Sequence, residues 1–279
     1  MILDGIAVAA AMEEETAHRL KRLGRRVLLA VLQVGHEPGG LAYLRATRRR
    51  CERLGIGLEL RELPDSCDTE TALRAVDAIN ADERVDGCLI LRPMPRQVDE
   101  DAVCQRLRPD KDVDGITNPS LGMVFTGCGP GYAPCTAEAC LRMLDHYRID
   151  PAGARVVVVG RSLVVGRPLA MLLTGRDATV TLCHSRTRDL PALCREAEIL
   201  ISAVGRVGLI DKSYVNRDQV ILDVGTSLDP GGHLRGDADF ETLEPLVRAI
   251  SPVPGGVGAV TTAVLTEHLL SAAEAPQAG

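Results

Sequence analysis

Apolar positions along this chain follow two alternating rhythms. Short continuous apolar runs, "RRVLLAVLQVG", "IGLELREL" and "DGCLIL", have strand length, while "LAYLRATRRRCERLG" and "TETALRAVDAINAD" repeat at the three-to-four spacing of a helix. Their order is that of an α/β layer structure. A Pro- and Asp-rich passage, "RPMPRQVDE" and then "RPDKDVDGITNPSLG", marks loops at strand ends, where functional residues concentrate. A helix begins at "PCTAEACLRMLDHY", with Thr136 as its expected N-cap and Glu138 in the first turn, where the dipole favours a carboxylate. The second half reads "ARVVVVG", "RPLAMLLTG", "ATVTLCHS", "LPALCREA", "EILISAVG" and "QVILDVG". Four strands separated by helices or loops predict a doubly wound parallel sheet. The Gly/Pro loop of "PVPGGVGAVTTAVLTEHLLSAAE" then runs into a closing helix. The expected fold class is α/β in two lobes, the second of Rossmann type.

Composition narrows the chemistry. With 279 residues, 46% of them hydrophobic, the chain fills two cores without staples. A formal net charge of -6 and only 2% aromatic residues argue against nucleic acid as a partner. Lysine occurs only at positions 21, 111 and 212, so a lysine mechanism has three candidates. The nine cysteines include no C-x-x-C pair, so neither a disulfide framework nor a metal site is suggested, and a reducing cytoplasm is the natural setting. The N-terminal "MILDGIAVAAAMEEET" lacks a basic n-region and reads as neither signal peptide nor membrane span.

"VVVVGRSLVVGRPLA" sets Gly160 after an apolar strand and Gly166 at a helix start, the arrangement that aims a helix N-terminus at a pyrophosphate. The spacing G-x-S-x-x-x-G also suits a plain strand-to-helix turn. The second strand ends in His184, Ser185 and Arg186 rather than in an acidic residue. A hydroxyl and a guanidinium, with Arg161 beside Gly160, suit a 2′-phosphate and favour NADP over NAD, the alternative being ordinary surface arginines. Cys183 and His184, neighbours in a strand, point to opposite faces and form no catalytic pair.

Taken with "VGHEPGGLAYLRATRRRCERLGI", "DGCLILRPMP", "PDKDVDG", "PCT", "TLCHSRT", "DVGTS" and "PVPGGVGAVT", this order of motifs resembles the bifunctional methylenetetrahydrofolate dehydrogenase/cyclohydrolase family along essentially the whole chain. The resemblance implies a cytoplasmic homodimer with a folate-binding catalytic domain over residues 1–119 and an NADP-binding Rossmann domain over 120–279. Helix 258–274 would pack back on the first domain, and a cleft would lie between the lobes. It implies that Asp114 binds the pterin, accepting two parallel hydrogen bonds from the 2-amino and N3 groups. Tyr43 would lie against the folate, and Pro93, Gly256 and Val257 would line the substrate site. It implies nucleotide contacts at Gly160, Arg161, Ser162, Val165, Gly166, Arg167, Pro168, Ser185, Arg186, Gly205, Gly225, Thr226 and Thr262. No membrane or nucleic-acid partner is implied.

Two departures stand out. One helical turn after its tyrosine the family carries a catalytic lysine, where this chain has Thr47. Its glutamine partner, in Q-L-P-L-P, is here Leu91 of "LRPMP". Gly40, Ala137 and Ala259 are smaller departures. Arg45, Arg48 and Arg49 are read as a solvated or substrate-tail face. Oxidation of the methylene bridge asks mainly for positioning, whereas hydrolysis of the methenyl ring asks for a titratable group that neither threonine nor leucine supplies. The expectation is an NADP-dependent dehydrogenase with cyclohydrolase activity lost or severely reduced. A repurposed paralogue acting on another folate-like substrate, or a silent NADP/folate-binding protein, stays open.

Overall fold

The structure, a computed structural model, describes residues 1–275, and its chain divides into two compact units. One runs over Met12–Cys135 and resumes at Thr262; the other joins Met1–Ala11 to Thr136–Thr261.

The first unit holds a three-stranded parallel sheet, β1 (Leu28–Val34), β2 (Gly57–Leu63) and β3 (Gly87–Ile90), in the order β2-β1-β3. Central β1 is buried along nearly its whole length, which explains its unbroken apolar run. The helices connecting the strands are α2 (Pro38–Leu54) and α3 (Thr69–Ala81). α3 starts where the Asp68 carboxylate accepts the Thr71 N–H at 2.8 Å. α2 stops at Gly55, whose φ of 71° is left-handed. Short helices α4 (Glu100–Gln105) and α5 (Asn118–Thr126) follow β3. A division at residues 119/120 falls inside α5, whereas the compact units part at Cys135/Thr136.

"PDKDVDG" is a brace as much as a site. The buried Lys111 ammonium donates to the carbonyls of Ile79, Asn80 and Asp82 at 2.8, 3.1 and 2.7 Å, closing the C-terminus of α3. Asp112, fully buried, accepts from the N–H of Ile116 and Thr117 and from the Ser120 hydroxyl at 3.0, 2.8 and 2.6 Å. At Gly87 a Cβ would meet Val113 Cγ1 at 2.5 Å and Leu269 Cδ1 at 2.8 Å, so only glycine lets this loop and the last helix close on β3.

The second unit is built on a five-stranded parallel sheet. Its strands are β4 (Arg155–Val159), β5 (Thr179–Cys183), β6 (Ile199–Ser202) and β7 (Val220–Asp223), with a short antiparallel hairpin, β8 (Ser227–Leu228) and β9 (Leu234–Arg235), apart from it, and finally β10 (Ala249–Ile250). The sheet order is β10-β7-β6-β4-β5. The helices are α6 (Cys135–His146), α7 (Gly166–Thr174), α8 (Leu190–Glu196) and α9 (Phe240–Leu243). The sequence pattern predicts four of the five strands; β10, two residues long, is too short to carry a periodicity. The N-terminal segment, neither signal peptide nor membrane span in the sequence pattern, forms α1 (Gly5–Leu23), and α10 (Val257–Glu274) is the last helix. Thr136 lies inside the first turn of α6 rather than capping it. The helix starts two residues earlier than a cap at Thr136 would set it, and the N–H of its first residue, Cys135, finds the Asp114 carbonyl at 3.4 Å.

Lys111→Met should destabilise the fold by about 1–3 kcal/mol, because it strands three α3 carbonyls without a donor. A denaturant midpoint equal to that of the parent protein would contradict the bracing role.

Candidate active site

At roughly 100° per residue, Tyr43, Thr47 and Arg50 fall on one face of α2, and Arg45, Arg48 and Arg49 on the other. The latter three are exposed on the side away from Tyr43, so of the two readings of that arginine run the solvated face is the one the geometry supports. Tyr43 is half-buried, and its hydroxyl donates to Asp114 Oδ1 at 3.4 Å. Burial, then the neighbouring Asp114 charge, holds the phenol well above its ordinary pKa.

Thr47 is 0% exposed, and its hydroxyl has no hydrogen-bond partner among the described residues. Arg50, also buried, donates from Nε to Thr262 Oγ1 at 3.0 Å and from Nη1 to Glu13 Oε2 at 2.7 Å. Arg53 grips the same carboxylate, and its hydrogen bond, outweighing burial, lowers the Glu13 pKa. Leu91 continues β3, its N–H on the Leu32 carbonyl at 2.9 Å. Its side chain is buried under the first turn of α2, where a Cβ at Gly40 would lie 3.6 Å from Leu91 Cβ. The pocket lined there by Gln33, Gly40, Leu41, Leu91, Arg92 and Pro93 has a volume of ≈ 10 Å³. That is at or below the space one water needs. Pro93 itself is exposed and follows a cis peptide bond.

Asp114 is half-buried at the tip of the braced loop. Burial pushes its pKa up to about 6; the Arg92 guanidinium opposes this, Asp112 reinforces it, and a Cys135 hydrogen bond opposes it. The Val113 carbonyl just before it accepts from Cys135 Sγ at 3.2 Å and lies 3.0 Å from His268 Nδ1. A carbonyl only accepts, so that nitrogen carries a proton. His268 in turn stacks on Tyr132, ring centroids 4.9 Å apart. Arg92, Tyr132, Cys135 and His268 escaped the sequence reading as site residues; "PCT" was its only pointer, and His268 is hidden in a helix whose other residues are mostly apolar.

In the other unit, β4 leads into α7 through two glycines with no spare room. Gly160 has φ +121°, and a Cβ on it would lie 2.4 Å from the Ala203 carbonyl oxygen; one on Gly166 would lie 1.9 Å from the Gly160 oxygen. Ser162 folds the turn on itself, its hydroxyl accepting the Val165 N–H at 3.1 Å and its carbonyl the Arg167 N–H at 3.0 Å. Arg161, Ser162 and Arg167 are exposed around the start of α7, while Val165, Gly166 and Pro168 are buried under it. Val159 pairs with Cys183, so the residues after β5 emerge beside this turn. There the His184 and Arg186 N–H groups close a tight bend onto Thr187 Oγ1 and His184 Nδ1, leaving Ser185 and Arg186 exposed.

Gly205 and Thr226 are exposed after β6 and β7, tied together by the Ser227 hydroxyl on the Gly205 carbonyl at 2.8 Å. Gly225 is buried between them, its N–H shared by the Ser202 carbonyl and Asp223 Oδ1. Burial pushes Asp223 up to about 7, against the N–H groups of Ala238 and Asp237. Gly256 and Val257 are buried at the start of α10. Thr262 belongs to the unit that contains Tyr43, and its hydroxyl accepts from Arg50 Nε.

A strand-to-helix glycine turn with exposed cations, in one unit, and a half-buried carboxylate beside a tyrosine, in the other, are the features of an α/β protein of the nucleotide-binding class. Residues 3–114 match the tetrahydrofolate dehydrogenase/cyclohydrolase catalytic domain, and residues 134–277 the NAD(P)-binding domain of the same family. The chain belongs to the tetrahydrofolate dehydrogenase/cyclohydrolase family. It is 43% identical over 277 residues to the bifunctional protein FolD of Carboxydothermus hydrogenoformans, covering 98% of this chain and 96% of that protein. The bifunctional FolD crystal structure from Campylobacter jejuni superposes with a TM-score of 0.95 at 34% identity, covering 98% of each chain. The Trypanosoma brucei FolD structure, complexed with NADP cofactor and inhibitor, gives 0.93 at 32% identity, covering 98% of this chain and 97% of that one.

Because the folded-state pKa of Asp114 is raised, its ionisation costs stability above about pH 6, and that cost disappears as pH falls toward the ordinary carboxylate value. Asp114→Asn should therefore stabilise the protein at pH 8 by about 1–3 kcal/mol, with the gain vanishing near pH 4. Paired unfolding curves at the two pH values check this; a variant less stable than the parent at pH 8 refutes it.

Proposed function

We propose that this protein oxidises 5,10-methylenetetrahydrofolate to the 5,10-methenyl form with NADP as acceptor, and that it hydrolyses the methenyl product slowly or not at all. The observation that carries the second half is the state of the α2 face. Thr47 exposes nothing, Leu91 is buried beneath the same helix, and the pocket beside Leu91 holds at most one water. No lysine replaces the missing one from elsewhere. Lys111 is spent on three carbonyls, and Lys21 and Lys212 are exposed side chains of α1 and of the loop before β7.

The residues present fit the two ligands. Ionised Asp114 accepts the two parallel donors of a pterin edge, and Tyr43, held by Asp114, keeps one wall of that site rigid. The tight Gly160–Gly166 turn brings the positive end of the α7 dipole to the place for a pyrophosphate, and Arg161, Ser185 and Arg186 are the exposed groups suited to a 2′-phosphate. NADP, when bound, supplies the hydride acceptor. The oxidation leaves a cation shared by two nitrogens and asks no proton of the protein, so positioning within about 3–3.5 Å suffices. Hydrolysis needs a group that takes and returns protons near neutrality, and arginine, with a pKa above about 12, cannot do so. We read the active form as a cytoplasmic homodimer, on the family resemblance and on nine free cysteines that suit a reducing compartment.

Purified protein given methylenetetrahydrofolate and NADP⁺ should form NADPH and methenyltetrahydrofolate in step, with the methenyl species decaying no faster than in enzyme-free buffer. Its conversion to the 10-formyl product as fast as it forms would overturn the lost-hydrolase reading, and binding without turnover would overturn the dehydrogenase. Thr47→Lys combined with Leu91→Gln should raise hydrolysis by about 100-fold or more, the usual worth of a positioned acid/base.

A further inference from the structure

β6 and β7 lie side by side, with Ser202 opposite Asp223, and the loops leaving these two strands carry Gly205, Gly225 and Thr226. Both loops hang from two buried carboxylates. Asp223, 2% exposed, accepts the backbone N–H groups of Gly225, Asp237 and Ala238 at 3.2, 3.0 and 2.8 Å. It thereby fixes the segment that carries Asp237. Asp237, 0% exposed, reaches back: Oδ2 accepts from the Ser202 hydroxyl and the Val204 N–H, both at 2.8 Å, and Oδ1 from the Arg206 N–H at 2.6 Å.

The pair is interlocked. A Cβ at Gly225 would sit 2.0 Å from Asp237 Oδ1, and one at Gly236 2.0 Å from Asp223 Oδ2, so each carboxylate fills the space a glycine leaves. Neither forms an ion pair among the described residues. Desolvating a carboxylate without a cation is a costly way to fill space, and an apolar side chain would do that better. What a carboxylate offers instead is acceptance at both oxygens, which pins several N–H groups of one loop at once.

We infer that Asp237 is a positioning residue of the nucleotide site, holding the loop from Ala203 to Arg206, with its exposed Gly205, in the shape that receives NADP, while Asp223 holds Asp237. The inference rests on the nucleotide reading of this unit. Asn in place of Asp237 keeps the volume but turns hydrogens toward one set of donors, freeing half of the loop. Ser202→Ala is the milder cut, removing one donor and leaving the carboxylate in place.

The test is calorimetric titration of NADP⁺ into the wild type, D237N, S202A and L243A, the last being a fully buried core residue of α9 that is not itself a partner in these hydrogen bonds. D237N should weaken NADP⁺ binding about tenfold or more, and S202A less, in line with the loss of charge-assisted hydrogen bonds. The KM for NADP⁺ should rise in parallel, with kcat at saturation changed less than about twofold. L243A should lower the melting temperature and leave the Kd unaltered. Wild-type binding with D237N and S202A equal to it overturns the positioning role alone. A wild type that does not bind NADP⁺ overturns the nucleotide reading and this inference with it. Should D237N not fold, S202A decides.

Discussion

The constraint that organises this protein is the cost of keeping carboxylates out of water. Asp112, Asp223 and Asp237 are each at most 2% exposed, and each is supplied with three N–H or O–H donors. Those donors offset desolvation and turn the side chains into rivets for the loops at strand ends. Asp114 is the exception. Its hydrogen bonds come from Tyr43 at a long 3.4 Å and from Cys135; burial lifts its pKa to about 6, and even with three donors Asp223 is lifted to about 7. On a loop whose neighbours are fully satisfied it is the carboxylate left short of donors, which is what the proposed role in ligand recognition builds on.

The same contrast separates the braced lysine from the absent one. Lys111 sits in the motif that names the site, yet its ammonium closes a helix and faces no ligand. On α2 a threonine is packed away with its hydroxyl unmet among the described residues, and a leucine lies under the helix. Arg50 one turn on is committed to Glu13 and Thr262. On the proposed reading the helix keeps its shape and its tyrosine but lacks a group that moves protons near neutrality, and the two reactions that a bifunctional relative runs together make different demands on it. One asks for a rigid clamp and the other for a base.

In the second unit rigidity is likewise built from close approach. Gly160 and Gly166 let β4 and α7 cross with no room for a methyl group, while Gly225 and Gly236 admit the two carboxylates. These glycines do the opposite of loosening the chain: each marks a place where another group is held at contact distance.

Sequence alone determined what depends on local order and spacing. Apolar runs of strand length gave the central strands, helical spacing gave α2 and α3, a glycine turn gave the start of α7, and motif order gave the family. It could not give β10, too short for a periodicity, or the start of α6, whose first N–H meets a carbonyl in a distant loop. Nor could it show that the lysine and first aspartate of "KDVD" are braces while the second meets, among the described residues, only Tyr43 and Cys135, or that Arg92 and His268 gather near that aspartate. Spacing along a chain fixes which way neighbouring side chains point, but how much water each loses, and which donors it meets, is set by segments that come together only in three dimensions.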